Sequence, residues 1–301
     1  MNHHGNPAKA GNRTIVGCSG WNYGDRFERG GWVGTFYPSA STKRLVYYSQ
    51  HFDTAEFDAI FYEKFYAKMG RGTFEGMATG TPAGFQFSVK VPEIVTHKMR
   101  LDIKQGAIQA FGEFLQRIAP LKDSGKIGAI LFQLPPSFSV DNFRQVEDFF
   151  ERLPASDIDL AVEFRHPSWH TEGPWEMLKQ YNVAAVAADS PDPALGYLSE
   201  PVVTSDHAFI RLHGRNKGFW YNYRYTEQEL RPWAQKVLSL ADNQEIRIVR
   251  VYFNNHYGGA AAENALEFRQ MIGESLKPDS LQAMERVRQA FTAAQSQMKL
   301  V

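Results

Sequence analysis

The sequence predicts an α/β fold, a single (β/α)8 TIM barrel in which a parallel eight-stranded closed sheet is wrapped by outer helices. Eight strand-like segments alternate with helical ones along the chain. No internal repeat or low-complexity tract divides it. Its 301 residues also suit one barrel, which commonly occupies about 250.

Thr14-Ile15-Val16-Gly17-Cys18 is the first strand, followed by an aromatic, glycine-rich loop over 25–38 with Trp32, Phe36 and Tyr37. A helix near 42–51 leads to a second strand at 52–58, where alternation puts Thr54, Glu56 and Asp58 on one side. Beyond Tyr62 the helical pattern is interrupted by Gly70, Gly72, Gly76 and Gly80, which leaves its boundaries open. The third strand, 85–91, alternates Phe85, Phe87, Val89 and Val91 with Gln86, Ser88 and Lys90, so one of its faces is polar. After a loop with Thr96, His97 and Arg100, a helix is expected over 102–118. The fourth strand, 127–134, ends at Gln133 before Pro135-Pro136. Asp141 is expected to cap the next helix, whose positions Phe143, Val146, Phe149, Phe150 and Leu153 share helical spacing.

The fifth strand, 158–165, runs into Pro167, which donates no ladder hydrogen bond and biases His166 to extended geometry. Glu163 and Arg165 therefore share a face and His166 points away from them. A short helix at 172–181 precedes a sixth strand of small residues, 183–189, that ends on Asp189. The seventh strand, 207–213, sets Phe209, Arg211 and His213 on one face. An aromatic loop at 219–225 and a helix at 226–240 follow. The eighth strand, 245–253, aligns Ile246, Ile248, Arg250, Tyr252 and the adjoining Asn254. Gly258-Gly259 opens a helix to about residue 272, and 281–298 is amphipathic. The expected organisation is a disordered leader at 1–12, a barrel at 13–275, and a C-terminal helix at 276–301 packed on the barrel or trailing it.

Composition excludes several functions. Lysine plus arginine equals aspartate plus glutamate at 33 each, so no net field draws in a polyanion, though a local phosphate site is compatible. Cys18 is the single cysteine, which rules out an intramolecular disulfide and a cysteine-clustered metal site. A reducing cytoplasm is the expected compartment. No apolar run reaches the roughly 18 residues of a membrane span, so no membrane partner is expected. Oligomeric state stays open.

In a TIM barrel the C-terminal ends of the strands carry the site. Strand parity assigns Ser19, Glu56, Lys90, Gln133, Glu163, Arg165, Asp189, Arg211, His213 and Asn254 to that rim. The segments Gly17-Cys18-Ser19-Gly20-Trp21, 32–38, 52–56 with Phe61-Tyr62, Val89-Lys90 with Thr96-His97, and 131–136 belong to an ordered series. Glu163-Phe164-Arg165-His166-Pro167-Ser168-Trp169, Arg211-Leu212-His213-Gly214 and Tyr252-Phe253-Asn254-Asn255 complete it. In that order the segments resemble the YecE-like family, also called domain of unknown function 72, over roughly 14–272. The resemblance implies a TIM barrel and no established chemistry; the region 70–80 departs from the family pattern. Tyr62, His97 and Asn255, which lie in these segments, join the candidate ligand-binding residues.

Three chemistries fit the rim. Glu56, Glu163, Asp189 and His213, with His166 and Asn254 nearby, would hold a divalent metal that activates water or polarises a carbonyl. Without a metal, Glu163 or Asp189 serves as general acid or base with His213, while Lys90 or Arg211 stabilises developing negative charge. A lock of Glu163 onto Arg165 or Arg211 is the bland alternative. Backbone N–H groups around Gly214 and Gly258 would hold phosphate, unless Gly258-Gly259 is only a tight turn. Trp21, Trp32, Trp169 and the 219–225 aromatics would stack a sugar or base, or else pack on one another. The expected function is a hydrolase or lyase acting on a phosphate- or sugar-containing ligand, with nucleic acid as a further candidate. The alternative is a non-catalytic module binding a small anion or a nucleic-acid end.

Overall fold

The computed structural model describes residues 13–154, 157–192 and 195–298, so the expected leader at 1–12 lies outside the described residues. Among the described residues nine parallel strands form one sheet: β1 (Arg13–Ser19), β2 (Thr54–Phe57), β3 (Gln86–Lys90), β4 (Ile127–Gln133), β5 (Asp159–Glu163), β6 (Val183–Ala185), β7 (Ala187–Asp189), β8 (His207–Leu212) and β9 (Ile248–Phe253). Their spatial order is β6-β5-β4-β3-β2-β1-β9-β8-β7. Nine replaces the expected eight because the sixth segment divides at Val186: β6 pairs with β5, and β7 pairs with β8. The Thr204 hydroxyl takes a place in the ladder there, accepting from Ala185 N at 2.8 Å and donating to Val183 O at 2.7 Å. The two ends of the sheet are thus successive pieces of chain, and the barrel closes between them.

The outer layer comprises α1 (Arg44–His51), α2 (Glu63–Tyr66), α3 (Arg71–Thr79), α4 (Ala107–Arg117), α5 (Ala119–Asp123), α6 (Phe143–Glu151), α7 (Glu172–Gln180), α8 (Glu227–Asp242), α9 (Ala260–Met271) and α10 (Pro278–Met298). Two expected boundaries change. Asp102 caps a short turn by accepting from Lys104 N at 2.9 Å, and the helix proper starts only after Gly106, whose φ of 88° needs glycine. Asp141 does not cap α6; its carboxylate accepts from Ser139 Oγ at 2.8 Å, and Asn142 holds the cap position without a side-chain bond. The glycine-rich stretch is helical as α3 because Phe74 and Met77 bury the inward face while Gly72 and Gly76 face open space. Packing there overrides propensity. Among the described residues, no helix is long and apolar enough to cross a membrane.

Alternation divides the strands between two environments. Outward residues such as Val16, Cys18, Phe87 and Phe132 join the helices in one large core. Inside the barrel, Ala129, Leu131, Ala161, Ala184, Val186, Phe209 and Tyr252 form a separate apolar plug. The Tyr252 hydroxyl lies 2.7 Å from both Thr54 Oγ1 and Ser88 Oγ, so its one polar atom is satisfied. Below the plug Arg250 pairs with Asp159 at 2.9 Å. α10 docks through Ala283, Met284 and Val287 and ties down with Arg288 Nε, 2.9 Å from Glu263 Oε1.

Candidate active site at the barrel mouth

Above the plug the next inward positions are ionisable. Period-two alternation brings Glu56, Lys90, Gln133, Glu163 and Arg211 into one layer, and His213 and Asn254 extend it just beyond β8 and β9. Arg211 is the hub. Its Nε and Nη2 donate to the two oxygens of Glu56 at 2.8 and 2.6 Å, while Nη1 donates to Glu163 Oε2 at 2.6 Å and to Gln133 Oε1 at 3.3 Å. Arg165 Nε donates to the other oxygen of Glu163 at 2.8 Å. Buried charge is tolerated only when paired and hydrogen-bonded, and this lattice pairs both carboxylates.

The network separates its carboxylates. Burial opposes ionisation of Glu163, but Arg211, Arg165 and His213 outweigh it and hold the carboxyl well below the usual range. Burial wins at Glu56 and raises its carboxyl despite Arg211. Burial followed by Arg211 brings His213 down to about 4. Asn254 Nδ2 lies 3.0 Å from His213 Nδ1, which assigns Nδ1 as acceptor and the proton of the neutral ring to Nε2. That nitrogen is 3.4 Å from Glu163 Oε2, looser than a hydrogen bond, and has no other partner among the described residues. Burial, Arg211 and Arg165 likewise pull Lys90 down to about 7.

Most other candidates lie elsewhere or are already engaged. Asp189 faces outward from β7: Arg215 clamps it through two 2.8 Å bonds, and Tyr225 Oη donates to it at 2.6 Å. The expected metal set of Glu56, Glu163, Asp189 and His213 therefore does not converge, and no group of three potential ligands gathers among the described residues. Gly214 N donates to Tyr225 Oη at 2.8 Å and Gly258 N to Gly30 O at 3.0 Å, so neither amide is free for phosphate. His166 Nδ1 is 2.7 Å from Ser168 Oγ, and His97 Nδ1 is 3.0 Å from Thr96 Oγ1. Asn255 Nδ2 donates to Tyr223 O and Asn264 Oδ1. Ser19 Oγ is buried without a partner among the described residues, and Tyr62 is 48% exposed.

The aromatics mostly pack. Trp169 stacks on Phe164 at 4.1 Å, Trp32 is fully buried with its indole bonded to His256 O, and Trp21 lies against Phe57 beside a groove of about 580 Å³ outside the barrel. Tyr197 joins the site residues without any signal in the sequence. It reaches the mouth from the loop after β7, with Arg165 Cζ 5.1 Å from its ring centre, His213 5.3 Å away ring to ring, and a buried hydroxyl lacking a partner among the described residues. No periodicity marks that loop in the sequence.

A plugged parallel barrel with ionisable groups at the C-terminal ends of its strands defines the class of TIM-barrel proteins with a rim site. Residues 15–288 match the family described as Protein of unknown function DUF72, and the chain belongs to it. It is similar to the UPF0759 protein YunF of Bacillus subtilis (strain 168), at 30% identity over 85% of this chain and 94% of that one. A crystal structure of a DUF72 family protein from Thermotoga maritima MSB8 superposes with a TM-score of 0.74 at 32% identity, covering 87% of this chain and 100% of the other. A second, from Enterococcus faecalis V583, gives 0.68 at 24% identity, with 88% and 99% covered, and supports the fold alone.

Proposed function

We propose that the chain is an enzyme, a hydrolase or lyase acting at the C-terminal mouth on a small phosphate- or sugar-containing ligand. A nucleic-acid end is the largest ligand of that chemistry. The observation that supports this reading is the unfinished layer: among the described residues Arg211 and Arg165 pair with Glu56 and Glu163, the terminal nitrogens of Arg165 and His213 Nε2 have no hydrogen bond, and Lys90, within reach of the Asp58 charge, has no ion-pair partner. Unspent guanidinium and imidazole N–H groups suit a substrate that is anionic or becomes so in the transition state. Glu163, held ionised, orients His213 and the two arginines; His213 donates or exchanges the proton; Arg165 meets the negative charge. With the Gly214 and Gly258 amides engaged, these side chains are the groups left to contact a phosphate. The lone, buried Cys18 fits a reducing cytoplasm.

A non-catalytic anion-binding module is the second reading, favoured by the double arginine lock on Glu163. Glu163→Gln and His213→Gln assayed on phosphoesters and glycosides separate the two. An enzyme loses about 10²- to 10⁴-fold in turnover while still unfolding cooperatively. Absent turnover in the wild type, with phosphate still raising the melting temperature of Glu163→Gln, establishes the binding module instead.

A further inference from the structure

We propose that Lys90 is a covalent nucleophile whose amine forms an imine with the carbonyl carbon of a small ligand that also carries an anionic group. This rests on the anionic-ligand reading above and names the reactive group within it.

Two buried lysines in the same fold show the contrast. Lys126 is a satisfied structural lysine: its Nζ donates to Ala78 O at 2.6 Å, Thr81 O at 2.6 Å and Thr81 Oγ1 at 2.8 Å. Lys90 is 7% exposed, yet among the described residues its Nζ has no hydrogen-bond acceptor and no carboxylate partner. It rests 3.6 Å from the centre of the Phe61 ring. The carboxylates of its layer, Glu56 and Glu163, are already taken by Arg211 and Arg165. Desolvation and the guanidiniums of Arg211 and Arg165 disfavour an ammonium and outweigh the opposing charges of Asp58 and Glu163 and the face of Phe61, so a lysine so placed keeps the lone pair that makes it nucleophilic. Phe61 covers the amine on one side, and the half-exposed Tyr62 packed on Phe61 marks the way in from solvent.

Arg165 supplies the second half of the recognition. Its Nε is engaged by Glu163, while its terminal nitrogens have no hydrogen bond among the described residues and its side chain is 18% exposed. A ligand with a carbonyl at one end and a phosphate or carboxylate at the other spans the two groups. In the first step the Lys90 nitrogen bonds to the carbonyl carbon and the C=O π pair moves to oxygen, which takes a proton released from nitrogen to give the carbinolamine. The hydroxyl then takes a proton from solvent and departs as water while the nitrogen lone pair forms the C=N bond, leaving the protonated imine. Water reverses the sequence and restores the amine.

Borohydride reduction tests this on the intact chain. Dihydroxyacetone phosphate, glycolaldehyde phosphate and glyoxylate are the carbonyl probes, and glycerol 3-phosphate is the anion without a carbonyl. The expected result is a stoichiometric mass gain equal to a probe less water plus two hydrogens, mapped to the Lys90 peptide. Labelling should be lost in Lys90→Arg and in Lys90→Met and be half-maximal near pH 7, where Lys90 is placed, rather than in the ordinary lysine range. Circular dichroism verifies that each variant is folded, and retention of charge in Lys90→Arg separates nucleophile from cation. No adduct with any probe, while glycerol 3-phosphate raises the melting temperature, overturns the imine and leaves the anion reading standing. Neither adduct nor shift overturns both. Adducts spread equally over other lysines in Lys90→Arg also overturn the assignment.

Discussion

At the residue scale, Arg211 decides whether the mouth holds together. It is 1% exposed and makes bonds to three side chains, two of them carboxylates. Removing one partner of a buried ion network leaves charge without compensation, so Arg211→Met should lower unfolding stability by about 3–5 kcal/mol in urea. Neutralising Glu56 and Glu163 to Gln in the same chain should recover much of that loss. A loss below about 1 kcal/mol for Arg211→Met would show that water enters the layer and screens it. The asymmetry has a functional side: Glu163 is fixed as an anion by two guanidiniums and is a poor proton carrier, which leaves Glu56, His213 and Lys90 as the groups of the layer that can change protonation.

At the scale of elements, the first strand shows how tightly neighbours approach. A Cβ on Gly17 would stand 2.2 Å from Thr54 O, in the backbone of β2. Gly17→Ala should therefore destabilise the barrel by about 1–3 kcal/mol, read as a lower midpoint in urea with an unchanged slope. An unaltered midpoint would mean that β1 and β2 separate without cost. Sequence made such elements readable where chemistry contrasts along them. The alternation of Phe85, Gln86, Phe87, Ser88, Val89 and Lys90 gives both the strand and its inward face, and the same logic placed Glu56, Gln133, Glu163, Arg211 and His213. It failed at 183–189, because alanine and valine on both faces offer no parity to read; Asp189 looked like a rim residue and instead serves the helix layer. Tyr197 was illegible for another reason, since an aperiodic loop gives no direction to a side chain.

At the scale of the whole molecule, buried imidazoles set the acid limit. Burial is the first cause that brings His51, His97, His207, His213 and His256 down to about 4 from an ordinary value of 6.5. Between those values the unfolded chain binds more protons than the folded one, so stability rises with pH across the window and drains away as pH falls through it. Glu163 adds to the slope at lower pH, since a carboxyl held low in the fold stabilises above its ordinary value and loses that contribution on protonation. Melting temperature should decline steadily from about pH 6.5 toward pH 4, and above pH 7 it should still rise, because Lys90, held near 7 in the fold, binds a proton more readily in the unfolded chain up to its ordinary 10.5. In His207→Phe the decline should be shallower, because both nitrogens of His207 lack partners among the described residues and nothing is lost by removing them. A level profile from pH 7 to 4.5 would contradict the burial of these rings.

The divided strand at Val186 ties this architecture to its mouth. The segment that supplies Thr204 to the ladder and the Leu198 carbonyl to Ala188 N at 2.8 Å is also the one that carries Tyr197 toward Arg165 and His213. Keystone and fingertip are one piece of chain. The usual freedom of a TIM barrel, in which loops diversify while the wall stays constant, is withdrawn at this point of the ring: any change that repositions the tyrosine also loosens the seam.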